Sequence, residues 1–268
     1  MSNGEIAYYL YCLTPAGGEV QCSAIGVDGQ RQVTVRACGE IAAVFSAVEV
    51  GEFRDETAEA CLGDLAWLGP RVCRHEAVVE EVMRQAPVLP ARFATLFTSV
   101  DSLEQSVLNH REAIAGFFAQ LGGQQEWAVK GLLHRANAPA AEARASAASP
   151  GARYFEQKRI HAQWERDFNV RLNDFCRSAA ESLAAQACGF RERKIVAPIN
   201  ADVVFNWAFL LAPKALEDFR AQLDRLNGGE GFPGLVLAPT GPWPPYTFAP
   251  DLSCGAKAAD AMAADANV

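Results

Sequence analysis

Residues Thr240 to Phe248 read Thr-Gly-Pro-Trp-Pro-Pro-Tyr-Thr-Phe, placing three prolines, one glycine and three aromatics within nine positions. Proline fixes φ and removes a backbone donor, so this segment is barred from an α-helix and from the interior of a sheet. It is expected to be extended, close to polyproline II, and stiff before it docks. A stiff segment loses little entropy on ordering, and Trp243, Tyr246 and Phe248 carry large faces to bury. Two outcomes fit: a strap packed on its own domain, or aromatics presented to a partner.

Half of the 268 residues are apolar, enough for one large or two ordinary cores. The formal net charge of −8 argues against a nucleic-acid protein, which needs clustered Lys and Arg. The first eighteen residues lack a basic and then apolar leader, so no secretory signal is expected. No run of about 18 apolar residues predicts a membrane span. The eight cysteines form no C-x-x-C pair and read as reduced, cytosolic thiols.

The hydrophobic period divides the chain. Ile6–Leu13 reads as a buried strand. Asp28-Gly29 predicts a hairpin turn between Ser23–Val27 and Gln32–Ala37, and Ile41–Val50 predicts another strand. From Glu56 the spacing changes to three and four, through Cys61, Leu65, Leu68, Val72, His75, Val79 and Val82. Gly69-Pro70 inside this run predicts two helices or a kink. Val88–Phe97 reads as a strand, and Ser99 or Asp101 as the cap of a helix that stops at Gly122-Gly123. Glu126–Leu133 is a further strand. A long amphipathic helix is expected through Ile160, Trp164, Phe168, Leu172, Phe175, Ala179 and Leu183, ending at Gly189. Then come strands at Lys194–Pro198 and Asp202–Leu211, a helix over Pro213–Leu226, and a strand at Phe232–Leu237.

Strands and helices mix without regular βα alternation, which favours α+β. The expected organisation is an N-terminal α+β domain over 1–135 and an Ala/Pro-rich linker or exposed loop over 136–150. A C-terminal α+β domain over 151–250 and a disordered tail over 251–268 complete it. Each half is compatible with a ferredoxin-like unit.

Catalytic signatures are absent: no Walker loop, no G-x-G-x-x-G after a strand, no G-x-S-x-G. His75-Glu76 begins like a zincin, but Val79 stands where the second ligand is required. His75 reads as a core-edge histidine hydrogen-bonded to a backbone carbonyl, or as a general base. Arg92 suits an anion contact or an ion pair, for instance with Glu126. Lys130 in its apolar strand is treated alike, with a snorkelling stem. Arg153, Tyr154, Lys158 and Arg159 put positive charge at a helix start, against the dipole, which points to a compensating partner or to a solvated face. The candidate interaction residues are therefore Arg92, Lys130, Arg153, Tyr154, Trp243, Tyr246 and Phe248.

GPWPPY resembles the C-terminal signature of the gas vesicle protein F/L family. Further pieces resemble that family in order: Tyr8-Tyr9-Leu10-Tyr11, Gly39–Ser46, His75-Glu76-Ala77-Val78, Pro87–Phe97, Glu126–Lys130 and Gly151–Phe155. Ala94 stands where the family usually has glycine. The similarity covers residues 5 to 250. It implies two domains of ferredoxin-like character, joined by the Ala/Pro-rich loop and closed by the proline-aromatic strap. It also implies an accessory or minor structural role in gas vesicles, in the cytoplasm. The expected partners are the hydrophobic shell protein and other accessory proteins, with no cofactor, no metal and no catalysis. The rival class is a small-ligand regulator or enzyme built on ferredoxin-like domains, which would need a deep polar pocket near His75, Arg92 or Lys130.

Overall fold

The computed structural model describes residues 5–53, 64–134, 150–195 and 203–252. Residues 136–149 of the linker expected over 136–150, and residues 253–268 of the expected tail, lie outside the described residues. The fold is α+β, in two compact units: 1–126 together with 242–268, and 127–241. The last segment of the chain thus belongs with the first unit, while the sequence reading had grouped it with the C-terminal half.

In the first unit, β1 (Ile6–Pro15), β2 (Thr34–Cys38), β3 (Ile41–Glu49), β4 (Leu89–Pro90) and β5 (Leu96–Phe97) form one sheet. Its order is β2-β3-β1-β4, with β5 also on β1. β1 is central, and six of its aromatic or apolar side chains are buried, together with Thr14, as a strand covered on both faces requires. It runs antiparallel to β3, with a register break between Leu10 and Cys12 that leaves Tyr11 as the extra residue. A bulge re-aims the side chain it carries. Here the Tyr11 hydroxyl meets Ser46 Oγ at 2.7 Å and accepts the Val27 N–H at 2.7 Å. Gly26 beside it is required to be small, because a Cβ there would stand 2.9 Å from the Arg31 carbonyl oxygen.

The hairpin expected at Asp28-Gly29 is a turn without a ladder. Asp28 accepts from the N–H groups of Gln30 and Arg31, and only the bridge Ile25–Gln32 precedes β2. The 21–24 stretch is fastened instead to α1 (Leu65–Met83): Glu81 accepts from Ser23 and Ala24, and Gln85, just past the helix, brackets Gln21. α1 is one helix through Gly69-Pro70, not two; Asp64 caps it on the N–H of Ala66. Its buried face is His75, Val78, Val79 and Val82.

The expected strand Val88–Phe97 breaks into β4 and β5. Pro90 has no donor to extend a ladder, and Ala94 turns the chain with φ 63°. α2 (Val100–Asn109) starts at a Ser99–Ser102 capping box, and α3 (Arg111–Leu121) ends at Gly122 in the left-handed region.

The second unit runs β6 (Gln125–Leu133), α4 (Pro150–Ala184), β7 (Gly189–Glu192), β8 (Val203–Leu211), α5 (Leu216–Asn227) and β9 (Leu235–Trp243). The strand order is β7-β8-β6-β9. β7 begins at Gly189, where the sequence predicted only a helix end, because Ala187 already closes the last turn of helix. β9 reaches further than predicted, through Pro239 and Pro242 to Trp243. It is an edge strand, the one place in a sheet where missing donors cost nothing. The core joins Phe168, Leu172 and Leu183 of α4 to Trp127, Phe209, Phe219 and Leu237.

Candidate functional site

Residues that follow β9 form a short 3₁₀ turn, Tyr246–Phe248, rather than the continuous extended segment expected. Two buried polar groups of the first unit hold it. His75 is 2% exposed, on the inner face of α1. Its Nε2 lies 3.0 Å from the Tyr246 hydroxyl, and its Nδ1 lies 2.9 Å from the Tyr9 hydroxyl. Tyr246 donates its one proton to Glu76 Oε1 at 2.8 Å. Its oxygen therefore accepts from His75 Nε2–H, and the ring is the Nε2–H tautomer. The bare Nδ1 then takes the Tyr9 proton, and the Tyr9 oxygen accepts the Ala94 N–H at 3.1 Å. The chain of donors runs Ala94, Tyr9, His75, Tyr246, Glu76 without a gap.

The second group is Glu126 on β6, also 2% exposed. Its carboxylate accepts the Thr247 N–H at 3.0 Å and the Thr247 hydroxyl at 2.6 Å. A buried carboxylate is costly unless its lone pairs are filled, so this fixes the backbone of the turn.

Burial dominates the electrostatics. It pushes the His75 imidazole down to about 4, with the Ala91 carbonyl opposing. It raises the Glu76 carboxyl, although the Tyr246 hydrogen bond favours the charged form. Burial also raises Tyr9 and Tyr246 above the ordinary phenol range, and Tyr11 to about 12. At neutral pH the ring is uncharged, both phenols keep their protons, and every donor has an acceptor. This arrangement is suited to holding a chain segment. A general base would need a free lone pair facing a cleft, and both ring nitrogens of His75 are occupied. Neither is the ring tied chiefly to a backbone carbonyl, as the core-edge reading expected; two tyrosines hold it.

Of the seven candidate interaction residues, only Tyr246 enters this network, where it meets His75. Trp243 lies on the β9 edge, partly exposed, and Phe248 is half-buried at the end of the turn. Arg92 is exposed and lies 3.8 Å from Asp251, whereas the Glu126 suggested for it is engaged by Thr247. Lys130 points out of a strand whose neighbours Val129 and Gly131 are buried. Arg153 and Tyr154 are exposed near the start of α4. Sequence reasoning missed Tyr9, Glu126 and Thr247 as members of the site. The available signal was a carboxylate opening an apolar strand. Among the described residues no three His, Cys, Asp or Glu side chains come together as a metal-ligand set. No helix among them is long and apolar enough to cross a membrane.

A family model described as "Gas vesicle synthesis protein GvpL/GvpF" matches residues 7–250. Gas vesicle protein L of Streptomyces sp. (strain CB03234) is 28% identical over 260 residues, covering 93% of this chain and 94% of that protein. Gas vesicle protein L1 of Halobacterium salinarum is 25% identical over 273 residues, 94% of this chain and 92% of that protein. The crystal structure of GvpF from Anabaena sp. PCC7120 superposes with a TM-score of 0.67 at 18% identity, over 92% of this chain and 97% of that one. GvpF from Microcystis aeruginosa gives 0.60 at 20% identity, over 91% and 99%. At these identities the two structures speak to the fold alone.

Proposed function

Because the chain belongs to the gas vesicle synthesis protein GvpL/GvpF family, we propose that it is a non-catalytic accessory protein that binds the hydrophobic shell protein and supports nucleation or assembly of the vesicle. The observation that carries this reading is the family match over residues 7–250, which includes both compact units and the proline-aromatic segment. Family membership supports a gas vesicle accessory role in general, with other gas vesicle proteins as partners and the vesicle, in the cytoplasm, as location. The shell protein as direct partner is the proposal's finer part.

Physical chemistry supports it. A shell that excludes water from its gas-filled side is built of subunits with a large apolar face, and such a face aggregates when exposed. An acidic partner that covers the face before assembly keeps the subunit available. A sheet edge or an apolar groove is the kind of surface that receives it.

The second unit is proposed to be a ferredoxin-like module. Its element order β-α-β-β-α-β with strand order β7-β8-β6-β9 supports this. The Tyr246–Phe248 turn is proposed to be the strap that completes the first unit; its contacts with His75, Glu76 and Glu126 support this. The rival ligand-binding reading required a polar pocket at His75, Arg92 or Lys130. A groove of about 520 Å³ between α4, β7 and β8 is lined by none of them.

The test is co-expression of the tagged full chain with the shell protein, followed by capture and by light scattering of the shell protein with and without the chain. Co-capture at a fixed ratio with suppressed scattering is expected. If the shell protein aggregates equally in both arms and is not captured, the assignment of the direct partner fails.

A further inference from the structure

The sheet of the second unit has two edges, β7 and β9. β9 is blunted by Pro239 and Pro242, which have no donor to offer a further strand. β7 holds no proline, and its Arg191 and Glu192 are exposed. Its register sets which backbone groups face outward. The pairing of β7 with β8 continues to Arg193, whose N–H donates to the Asn206 carbonyl at 2.8 Å. Backbone groups alternate along an antiparallel ladder, so Arg191 also bonds inward, while Phe190 and Glu192 turn their N–H and C=O groups to the open side. Arg191 Nη1 covers one of these, the Phe190 carbonyl, at 3.0 Å. The Phe190 N–H and both backbone groups of Glu192 meet no backbone partner among the described residues. The groove of about 520 Å³ runs beside this edge, and Phe190 and Glu192 line it. Cys176, Ala180 and Ala184 face it from α4, and Phe205 and Trp207 from β8. The charges around it cancel, Arg177 and Arg193 against Glu181 and Glu192.

We propose that β7 is a strand-addition site, which takes an extended, uncharged segment of another protein with apolar side chains at alternate positions. Each part of that chemistry follows from the edge and the groove. Outward N–H and C=O groups at every second residue match the main chain of an extended segment, and a helix over the same sheet gives the added strand a groove to lie in. The pleat sends every second side chain of such a strand to the α4 side, among Phe190, Phe205 and Trp207, so those positions are apolar. A charged segment loses hydration there and gains nothing from charges that cancel. A second copy of this chain fits less well. Pairing Phe190 of one copy with Glu192 of a twofold-related copy sets the two Arg191 side chains directly opposite, and like charges so placed are destabilising. The site is argued independently of where a shell subunit docks, and its failure leaves the proposed assembly role standing.

The test uses the full chain and a labelled seven-residue peptide that alternates Val with Thr, followed by fluorescence anisotropy, beside the same peptide N-methylated at each Val. N-methylation keeps the side chains and removes the donors that would face β7. Saturable binding of the first peptide and none of the second is expected. Glu192→Pro deletes an outward N–H without touching the ladder to β8 and should weaken binding by roughly tenfold, whereas Glu192→Ala keeps that N–H and should bind as the parent does. Ile195→Asp, at a 43% exposed position of the groove, should weaken binding to a similar degree with an unchanged melting temperature, and decides the case if Glu192→Pro fails to fold. The proposal is overturned by absent or non-saturable binding, or by equal binding of the N-methylated peptide. It is also overturned if Glu192→Pro folds and binds as the parent does, if Glu192→Ala loses as much as Glu192→Pro, or if Ile195→Asp has no effect. Self-association of the chain that Glu192→Pro abolishes, measured by sedimentation velocity, would overturn it too, because the edge would then belong to a second copy.

Discussion

His75 is the residue through which solution conditions reach this fold. Its ring is held down to about 4 by burial, while an unfolded histidine titrates near 6.5. Above 6.5 both states are neutral and the stabilisation is complete. As pH falls below 6.5 the unfolded chain takes the proton first, so stability declines until about 4 and then levels off. A shift of this size corresponds to a loss on the order of 3 kcal/mol. Glu76 acts with the opposite sign just above its ordinary value, because its raised carboxyl binds a proton earlier in the folded state. Urea unfolding at stepped pH should show a decline from 6.5 toward 4 that is smaller in a His75→Gln variant; an equal slope in both would exclude His75 as the source. Ala94 is a second residue-scale case. Its φ of 63° strains any side chain with a Cβ, and its N–H is committed to Tyr9. Ala94→Gly should stabilise by up to about 1 kcal/mol, read as a rise in Tm without loss of the Tyr9 contact.

Elements show which features were legible in the sequence. The 3.6 period placed α1 and α4, and Ser99 and Gly122 marked the start of α2 and the end of α3, because caps act within a few residues. Sheet pairing was harder. Asp28-Gly29 gave a turn, but the ladder beyond it yields to Glu81 and Gln85, which lie 57 to 64 positions away. Pro90 and Ala94 split a run that hydrophobicity alone joins. β9 ran on into a proline-rich stretch because its edge position removes the need for donors. The site was half visible. Tyr246 stood out by composition, whereas its partner His75, and Glu126 that holds Thr247, read as core and strand residues. Nothing local links positions 171 residues apart. Packing between elements offers a direct test at Gly131, which faces β8. A Cβ there would stand 2.3 Å from the Phe205 ring, itself stacked on Trp207 at 3.5 Å. Gly131→Ala should cost about 1–3 kcal/mol by overpacking, with a changed Trp207 emission in the folded state. An unaltered melt and spectrum would show that the ring has room to move.

At the scale of the whole chain, the first unit is made from both ends of the sequence and the second from its middle. Truncation separates the contributions. Ending the chain at Trp243 removes Tyr246 from His75 and Glu76 and Thr247 from Glu126, and so strips hydrogen bonds from buried polar groups. Each such group costs about 1–3 kcal/mol, so this shortened chain should melt well below the parent or fail to fold. Ending it after Leu252 keeps every one of these contacts and should leave the melting temperature unchanged. Equal melting of both truncations would mean that the turn adds no stability. The order of segments also sets a clock for biosynthesis. Glu126 emerges from the ribosome 121 residues ahead of Thr247, the group that satisfies its carboxylate. At about 5–20 residues per second this is a wait of roughly 6–24 s. Throughout that interval the middle of the chain is free to fold while the earlier part stands open, so the portion translated first is the portion finished last.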